Sequence, residues 1–142
     1  MTSPTRQNRI IRTYMSMAQV WAKLSRAKRK QVGCLIVKDS AIISDGFNGT
    51  PAGFDNTCEK EDGKTKDEVL HAELNAIAKL AKGTQSSLDS TMYITLAPCT
   101  QCAKLIIQAG ISKVYYCEEY AEDGINLLRK ADIRVERVQT QP

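Results

Sequence analysis

The sequence predicts an α/β protein in three layers, α-β-α, built on a five-stranded mixed sheet flanked by helices. Three observations carry this reading. Segments rich in β-branched and aromatic residues alternate with segments of helical periodicity, in the order α-β-β-α-β-α-β-α-β. The first two strands are joined by a short turn, which makes an antiparallel hairpin. The later strands are separated by helical segments, which suit parallel crossovers. At 142 residues the chain is read as one domain, 1–142, with one core.

Taken in order, Ser3-Pro4 can cap and open a first helix, with proline at a position where no donor is lost. Ile10, Ile11, Tyr14, Met17, Ala18, Trp21 and Leu24 follow at helical spacing and predict one apolar stripe facing the core. Val32–Val37 and Ala41–Ser44 read as strands, with Lys38-Asp39-Ser40 as the turn between them. Gly46 to Asp67 holds four glycines, a proline and mixed charge, and reads as a long functional or mobile loop. Helical pattern resumes near Glu68 and runs through His71, Leu74, Ile77, Ala78 and Leu80 towards Gly83. Thr91–Leu96 is a strand, and Pro98 starts the turn into a helix ending near Ala109, closed by Gly110. Lys113–Cys117 is a strand, Ile125–Ala131 a short helix and Ile133–Val138 the last strand.

Composition bounds the chemistry. The chain is 42% hydrophobic and 25% charged, as in ordinary globular proteins. A net charge of +4 is too small to argue for extended nucleic-acid binding, but it suits an anionic small molecule. The dense basic run is Arg26-Ala27-Lys28-Arg29-Lys30. Five cysteines, two of them in a C-x-x-C pair, fit reduced thiols and a metal better than a disulfide framework. No apolar run approaches a membrane span, and the N-terminus lacks the apolar stretch of a secretory signal, so an intracellular enzyme is expected.

The chemistry-bearing pieces are His71-Ala72-Glu73 and Pro98-Cys99-Thr100-Gln101-Cys102. One histidine and two cysteines supply three zinc ligands and leave the fourth tetrahedral position open for water. Residues three apart at a helix start share a face, so Cys99 and Cys102 can reach one ion. Glu73, two residues after the histidine, is placed to move protons. A lone histidine is often no ligand, and a lone C-x-x-C is often a redox pair or structural knuckle. Together they match H-x-E…P-C-x-x-C, the signature of zinc deaminases acting on nucleobases.

A more particular likeness lies in three stretches: His71 to Ile77 (HAELNAI), Gly46 to Gly53 (GFNGTPAG) and Thr95 to Lys104 (TLAPCTQCAK). They resemble the deoxycytidylate (dCMP) deaminases of the cytidine deaminase-like superfamily, and the likeness extends across nearly the whole chain. It implies that fold, and hydrolysis of dCMP to dUMP and ammonia, feeding dTMP synthesis. It implies Asn48 at the deoxyribose hydroxyl, although an Asn-Gly pair is also an ordinary turn. Backbone groups at Ala72 and around Ala97 and Pro98 would read the cytosine edge. Ser25, Arg26 and nearby lysines would approach the 5′-phosphate, unless the run is a solvated helix end. Tyr120 would stand at the pocket edge and respond to the regulator, although the sequence alone fits a core or surface tyrosine nearly as well.

The resemblance further implies a homohexamer in the cytoplasm of a bacterium or phage-infected cell, activated by dCTP and inhibited by dTTP, each with Mg²⁺. No nucleic-acid or membrane partner is expected. Gly46, Phe47, Asn48, Gly49 and Asn75 would lie near the regulatory site, though Asn75 could equally cap a neighbouring segment. Two departures stand out. Phe47 replaces a usual tyrosine, and with His71 the single histidine, a second two-histidine zinc site cannot form, so one zinc per subunit is expected. The stretch Asn56–Asp67, with no metal to pin it, is expected to be mobile, and Cys58 to be a partly buried thiol. The competing readings are a tRNA adenosine deaminase, a deaminase of free cytidine, and a non-catalytic zinc-binding subunit. The low aromatic content, 6%, weighs against the first, and the presence of Glu73 against the last.

Overall fold

The computed structural model describes residues 5–140. Helix α1 (Arg6–Ala22) is followed by strands β1 (Gly33–Lys38) and β2 (Ala41–Phe47), then α2 (Ala72–Ala81). Strand β3 (Thr91–Leu96), α3 (Thr100–Gln108), β4 (Lys113–Glu118), α4 (Asp123–Lys130) and β5 (Arg134–Arg137) complete the chain. The five strands form one sheet in the order β2-β1-β3-β4-β5. β1 pairs antiparallel with both β2 and β3, whereas β3, β4 and β5 run parallel. This is the expected mixed sheet in three layers, with unequal outer layers. Alternate residues of each strand point to opposite faces. Cys34, Ile36, Met92, Ile94, Val114 and Val135 meet Ala72, Ala76 and Leu80 of α2, Ala103 and Ile106 of α3, and Ile125 and Leu128 of α4. Leu35, Val37, Tyr93 and Tyr115 face the other way, onto α1.

The hairpin turn falls where the sequence places it but is one residue shorter, since Lys38 belongs to β1 and pairs with Ala41. Asp39 and Ser40 both take positive φ, 51° and 64°, the pattern of a two-residue loop whose twist matches the strands it joins.

Four sequence readings need correction. The residues of α1 that face the sheet are Ile11, Met15, Ala18 and Ala22, whereas Ile10, Met17 and Leu24 are exposed. Two apolar stripes lie side by side on this helix. Ala18 and Ala22 are small enough to let it settle closely over Gly33, so the smaller stripe is the one that packs. β2 continues past Ser44 to Phe47, because Asp45, Gly46 and Phe47 pair with Leu35, Cys34 and Gly33. Asp-Gly looks like a turn in sequence, but here the ladder claims it. α2 begins at Ala72 rather than near Glu68. The N–H and C=O of Leu70 are both bonded to Gly49, which holds the chain extended up to His71. Finally, Thr5 caps α1, its side chain accepting the Asn8 N–H at 3.1 Å. Ser3 and Pro4 lie outside the described residues.

One close approach fixes where α3 starts. A Cβ on Gly124 would lie 2.0 Å from the Pro98 carbonyl oxygen and 2.9 Å from the Cys99 backbone. Only glycine lets α4 rest against the turn that presents Cys99. Gly124→Ala is expected to destabilise the fold by about 1–3 kcal/mol, as overpacking of a close-packed core does. Thermal unfolding would read this as a loss of several degrees, and an unchanged midpoint would mean that α4 yields without cost.

Candidate active site at the ends of β3 and β4

β3 and β4 deliver their carboxyl ends to the same side of the sheet as the start of β1, where pairing changes from antiparallel to parallel. Crevices beyond strand ends at such a change are the usual ligand sites of open α/β sheets. Two helix N-termini meet there. His71 is the N-cap of α2, with extended backbone and no side-chain bond to its own helix, so its imidazole is free to point elsewhere. Cys99 is the N-cap of α3, and its Sγ accepts the Cys102 N–H at 3.5 Å. Cys102 follows one turn later and is buried.

These three side chains converge. His71 Nδ1 lies 3.2 Å from Cys102 Sγ and 3.6 Å from Cys99 Sγ. The ligand atoms of all three fall within 4.8 Å of one another. A tetrahedral zinc with ordinary Zn–N and Zn–S bond lengths requires N···S separations of about 3.5 Å. Charge makes a second argument. Burial, and then the neighbouring Glu73 carboxylate, push the Cys102 thiol far above its ordinary range. A buried carboxylate among sulfurs is a donor set that a cation satisfies and that is costly without one. The residues present fit a zinc ion.

Glu73 is the second residue of α2 and only 4% exposed. Burial raises its pKa, while its own backbone N–H, His71 and the Cys102 thiol pull in the opposite direction. A carboxyl raised in this way can hold a proton nearer neutral pH than a solvated one.

The site opens into a cavity of about 460 Å³. Its lining includes His71, Ala72, Glu73, Ala97 and Cys99, together with Arg29, Lys30, Asn48, Thr65, Val69, Glu118, Glu119 and Tyr120. Asn48 is therefore in reach of a ligand, but its amide is already engaged. Nδ2 donates to Lys30 O at 2.7 Å, and Oδ1 accepts the Val32 N–H at 2.9 Å. An amide group retains one further hydrogen and one further lone pair. Ala72 is the first residue of α2, where the N–H has no partner within the helix. The Ala97 N–H is taken by Glu118 O at 2.9 Å. Pro98 is fully buried and does not line the cavity. Tyr120 is 58% exposed, at the cavity edge.

The basic run enters differently from the reading that centred on its first residues. Ser25 is buried, its hydroxyl donating to Asn48 O and accepting the Ala27 N–H, and neither it nor Arg26 lines the cavity. Arg29 and Lys30 do. Arg29 was legible only as a member of the run, and Glu118, Glu119, Thr65 and Val69 carried no signal. Of the residues expected near a regulator, Gly46 lies against the backbone of Ala72 and Ala76, and the Asn75 amide donates to Phe47 O at 2.8 Å. Asn75 thus caps a neighbouring segment, one of its two readings. Phe47 packs edge-on against Trp21, and Gly49 pairs with Leu70. None of these four lines the cavity.

The sheet order, the His-Cys-Cys triangle and the buried glutamate define a zinc hydrolase of cytidine deaminase-like fold. Comparison with known proteins agrees. The family model described as the zinc-binding region of cytidine and deoxycytidylate deaminases matches residues 8–118. A probable deoxycytidylate deaminase of Caenorhabditis elegans is 40% identical over 123 residues, covering 82% of this chain and 61% of its own. The deoxycytidylate deaminase of Enterobacteria phage T4 is 33% identical over an alignment of 168 positions, covering 87% of this chain and 86% of its own. The crystal structure of dCMP deaminase from cyanophage S-TIM5, in complex with dCMP and dUMP, superposes with a TM-score of 0.89. It is 43% identical, covering 96% of this chain and 99% of that one. The chain belongs to the cytidine and deoxycytidylate deaminase family and is a deaminase.

Metal analysis of the purified protein is expected to give one zinc per chain. Cys102→Ala should reduce it to a small fraction of that, since two remaining ligands hold zinc poorly. Full zinc occupancy in that variant would remove Cys102 from the ligand set.

Proposed function

We propose that this protein hydrolyses dCMP to dUMP and ammonia. The observation that carries the proposal is one mononucleotide-sized cavity lined by His71, Cys99 and Glu73 and also by Arg29 and Lys30, with Cys102 completing the His-Cys-Cys cluster. The relatives of known name, and above all the cyanophage enzyme solved with dCMP and dUMP, support the same substrate.

His71, Cys99 and Cys102 would hold the zinc, which when bound supplies the Lewis acidity that makes water a nucleophile near neutral pH. Glu73 takes the proton from the water that adds at C4, passes it to ring N3, and then serves the departing amine, so that one water enters and one ammonia leaves. Burial suits it to this, because a carboxyl lifted above its solvated range both accepts and returns a proton. The free N–H of Ala72 faces the base edge. Asn48 offers its remaining hydrogen and lone pair to the sugar hydroxyl. Arg29, which is in no ion pair among the described residues, meets the 5′-phosphate. Lys30 joins it by exchanging its exposed partner Glu118 for phosphate oxygens. Tyr120 covers the open edge.

The proposal extends to activation by dCTP and inhibition by dTTP, each with Mg²⁺, in a cytoplasmic homohexamer. The exposed apolar residues Ile10, Met17 and Val20 of α1, with Leu24 just after it, support burial against another subunit. No helix among the described residues is long and apolar enough to cross a membrane.

Ammonia release from dCMP, deoxycytidine, CMP and a tRNA anticodon stem-loop, each with and without dCTP and Mg²⁺, tests the whole reading. Turnover of dCMP above the others, sharpened by dCTP, is expected. Reaction of the stem-loop alone would leave only the metal centre standing. In Glu73→Gln, zinc content should persist while kcat falls by about 10²–10⁴, the usual share of a general acid-base group. A zinc-loaded Gln variant with full turnover would take Glu73 out of the chemistry.

A further inference from the structure

The residues that carry Arg29 and Lys30 to the cavity have no secondary structure of their own. From Ser25 to Gln31 the chain is an irregular strap between α1 and β1. Four of its residues, Arg26, Lys28, Arg29 and Lys30, are cations within five positions, so its parts repel one another. A strap of this kind keeps one shape only if something outside it takes its backbone groups.

Two side chains do so. Asn48 holds the far end, at Lys30 O and the Val32 N–H. Glu59 holds the middle. A single carboxylate oxygen of Glu59 accepts the N–H of Lys28 at 2.9 Å and that of Arg29 at 3.2 Å. Its negative charge also lies against the most basic stretch of the chain.

Glu59 is itself fixed. It stands in the segment expected to be mobile, which instead forms a small hairpin. The Lys66 N–H donates to Cys58 O at 2.8 Å, the Lys60 N–H to Lys64 O at 2.7 Å, and the turn closes at Gly63 with φ 85°. Cys58 is 1% exposed and anchors the base of this hairpin. Glu59 pairs across it with Thr65, and Thr65 lines the cavity. One hairpin therefore forms a cavity wall and, through one carboxylate, holds the strap that bears the rim cations.

We propose that Glu59 is a positioning residue for the phosphate end of the substrate, fixing the backbone from which Arg29 and Lys30 reach the cavity. The inference rests on the dCMP reading above. Glu59 belongs neither to the cavity lining nor to the His71-Cys99-Cys102 cluster. Its effect belongs to discrimination between a nucleotide and a nucleoside, and not to the chemical step.

The test is steady-state deamination of dCMP and of deoxycytidine by the zinc-loaded full chain, as wild type, Glu59→Ala and Glu59→Gln, with thermal melts as the check on folding. In Glu59→Ala the preference for dCMP over deoxycytidine should fall about tenfold, carried by KM for dCMP, as expected for loss of two charge-assisted bonds that place a binding group. Glu59→Gln, which keeps an acceptor oxygen, should retain most of the preference. An Ala variant with undiminished preference, or one that loses kcat equally on both substrates, would overturn the role of Glu59. A wild-type enzyme with no preference for dCMP would instead overturn the nucleotide reading itself.

Discussion

Everything functional in this protein depends on two helix N-termini being held nose to nose beyond the ends of the central strands. The ligand triangle draws one corner from α2 and two from α3, and these helices are separated by a strand and two connections. A shift of about 1 Å between them would break a triangle with sides of 3.2 and 3.6 Å. The restraints are backbone-level contacts. Ser44 Oγ donates to Ala76 O at 2.6 Å, the Asn75 amide to Phe47 O, and together they bind α2 to β2. Gly124 seats α4 on the Pro98 carbonyl and so backs the start of α3. Backbone contacts of this kind leave little room for compensation, because close-packed interiors do not deform continuously.

That arrangement also sets the electrostatics. Around the His-Cys-Cys cluster, burial raises both Glu73 and Cys102, so that each favours its protonated form in the absence of a cation. At the open end the charges are solvated and weakly committed. Lys30 and Glu118 pair with side chains about half exposed, and such pairs contribute about 0–1 kcal/mol. The cavity therefore combines a rigid, desolvated end suited to chemistry with an adaptable rim suited to admitting and releasing an anion.

The connections do more than join elements. Residues 46–70, which look like one long loop, divide in the structure into the end of β2, a bridge from Gly49 to Leu70, and the hairpin around Glu59 and Thr65. Each piece bears on the site: the first by leading directly into Asn48, the second by holding His71 extended at the mouth of α2, the third through Thr65 in the cavity lining. On the opposite face, α1 covers the sheet with its smaller stripe and leaves its larger one outward, so the outer layers of the protein differ in kind as well as in number.

The order of elements, the hairpin turn at Asp39-Ser40 and the residues of the His-Cys-Cys cluster were legible in the sequence, because each rests on local spacing. Periodicity reports which face of a segment is apolar, and His-x-Glu with Cys-x-x-Cys reports which side chains share a helix start. What the sequence by itself could not decide were matters of partnership across the fold. Two adjacent stripes on α1 were both apolar, and only close approach at Gly33 selected Ala18 and Ala22 over Met17 and Leu24. Asp45-Gly46 carries turn chemistry, yet a ladder with β1 made it strand. Arg26 and Arg29 are equivalent in a basic run, and only the fold, in which Glu59 and Asn48 bond to the backbone of that run, sets the latter in the cavity lining and the former outside it. Local preferences here amount to about 1 kcal/mol or less per residue, so long-range pairing and packing overrule them wherever the two compete.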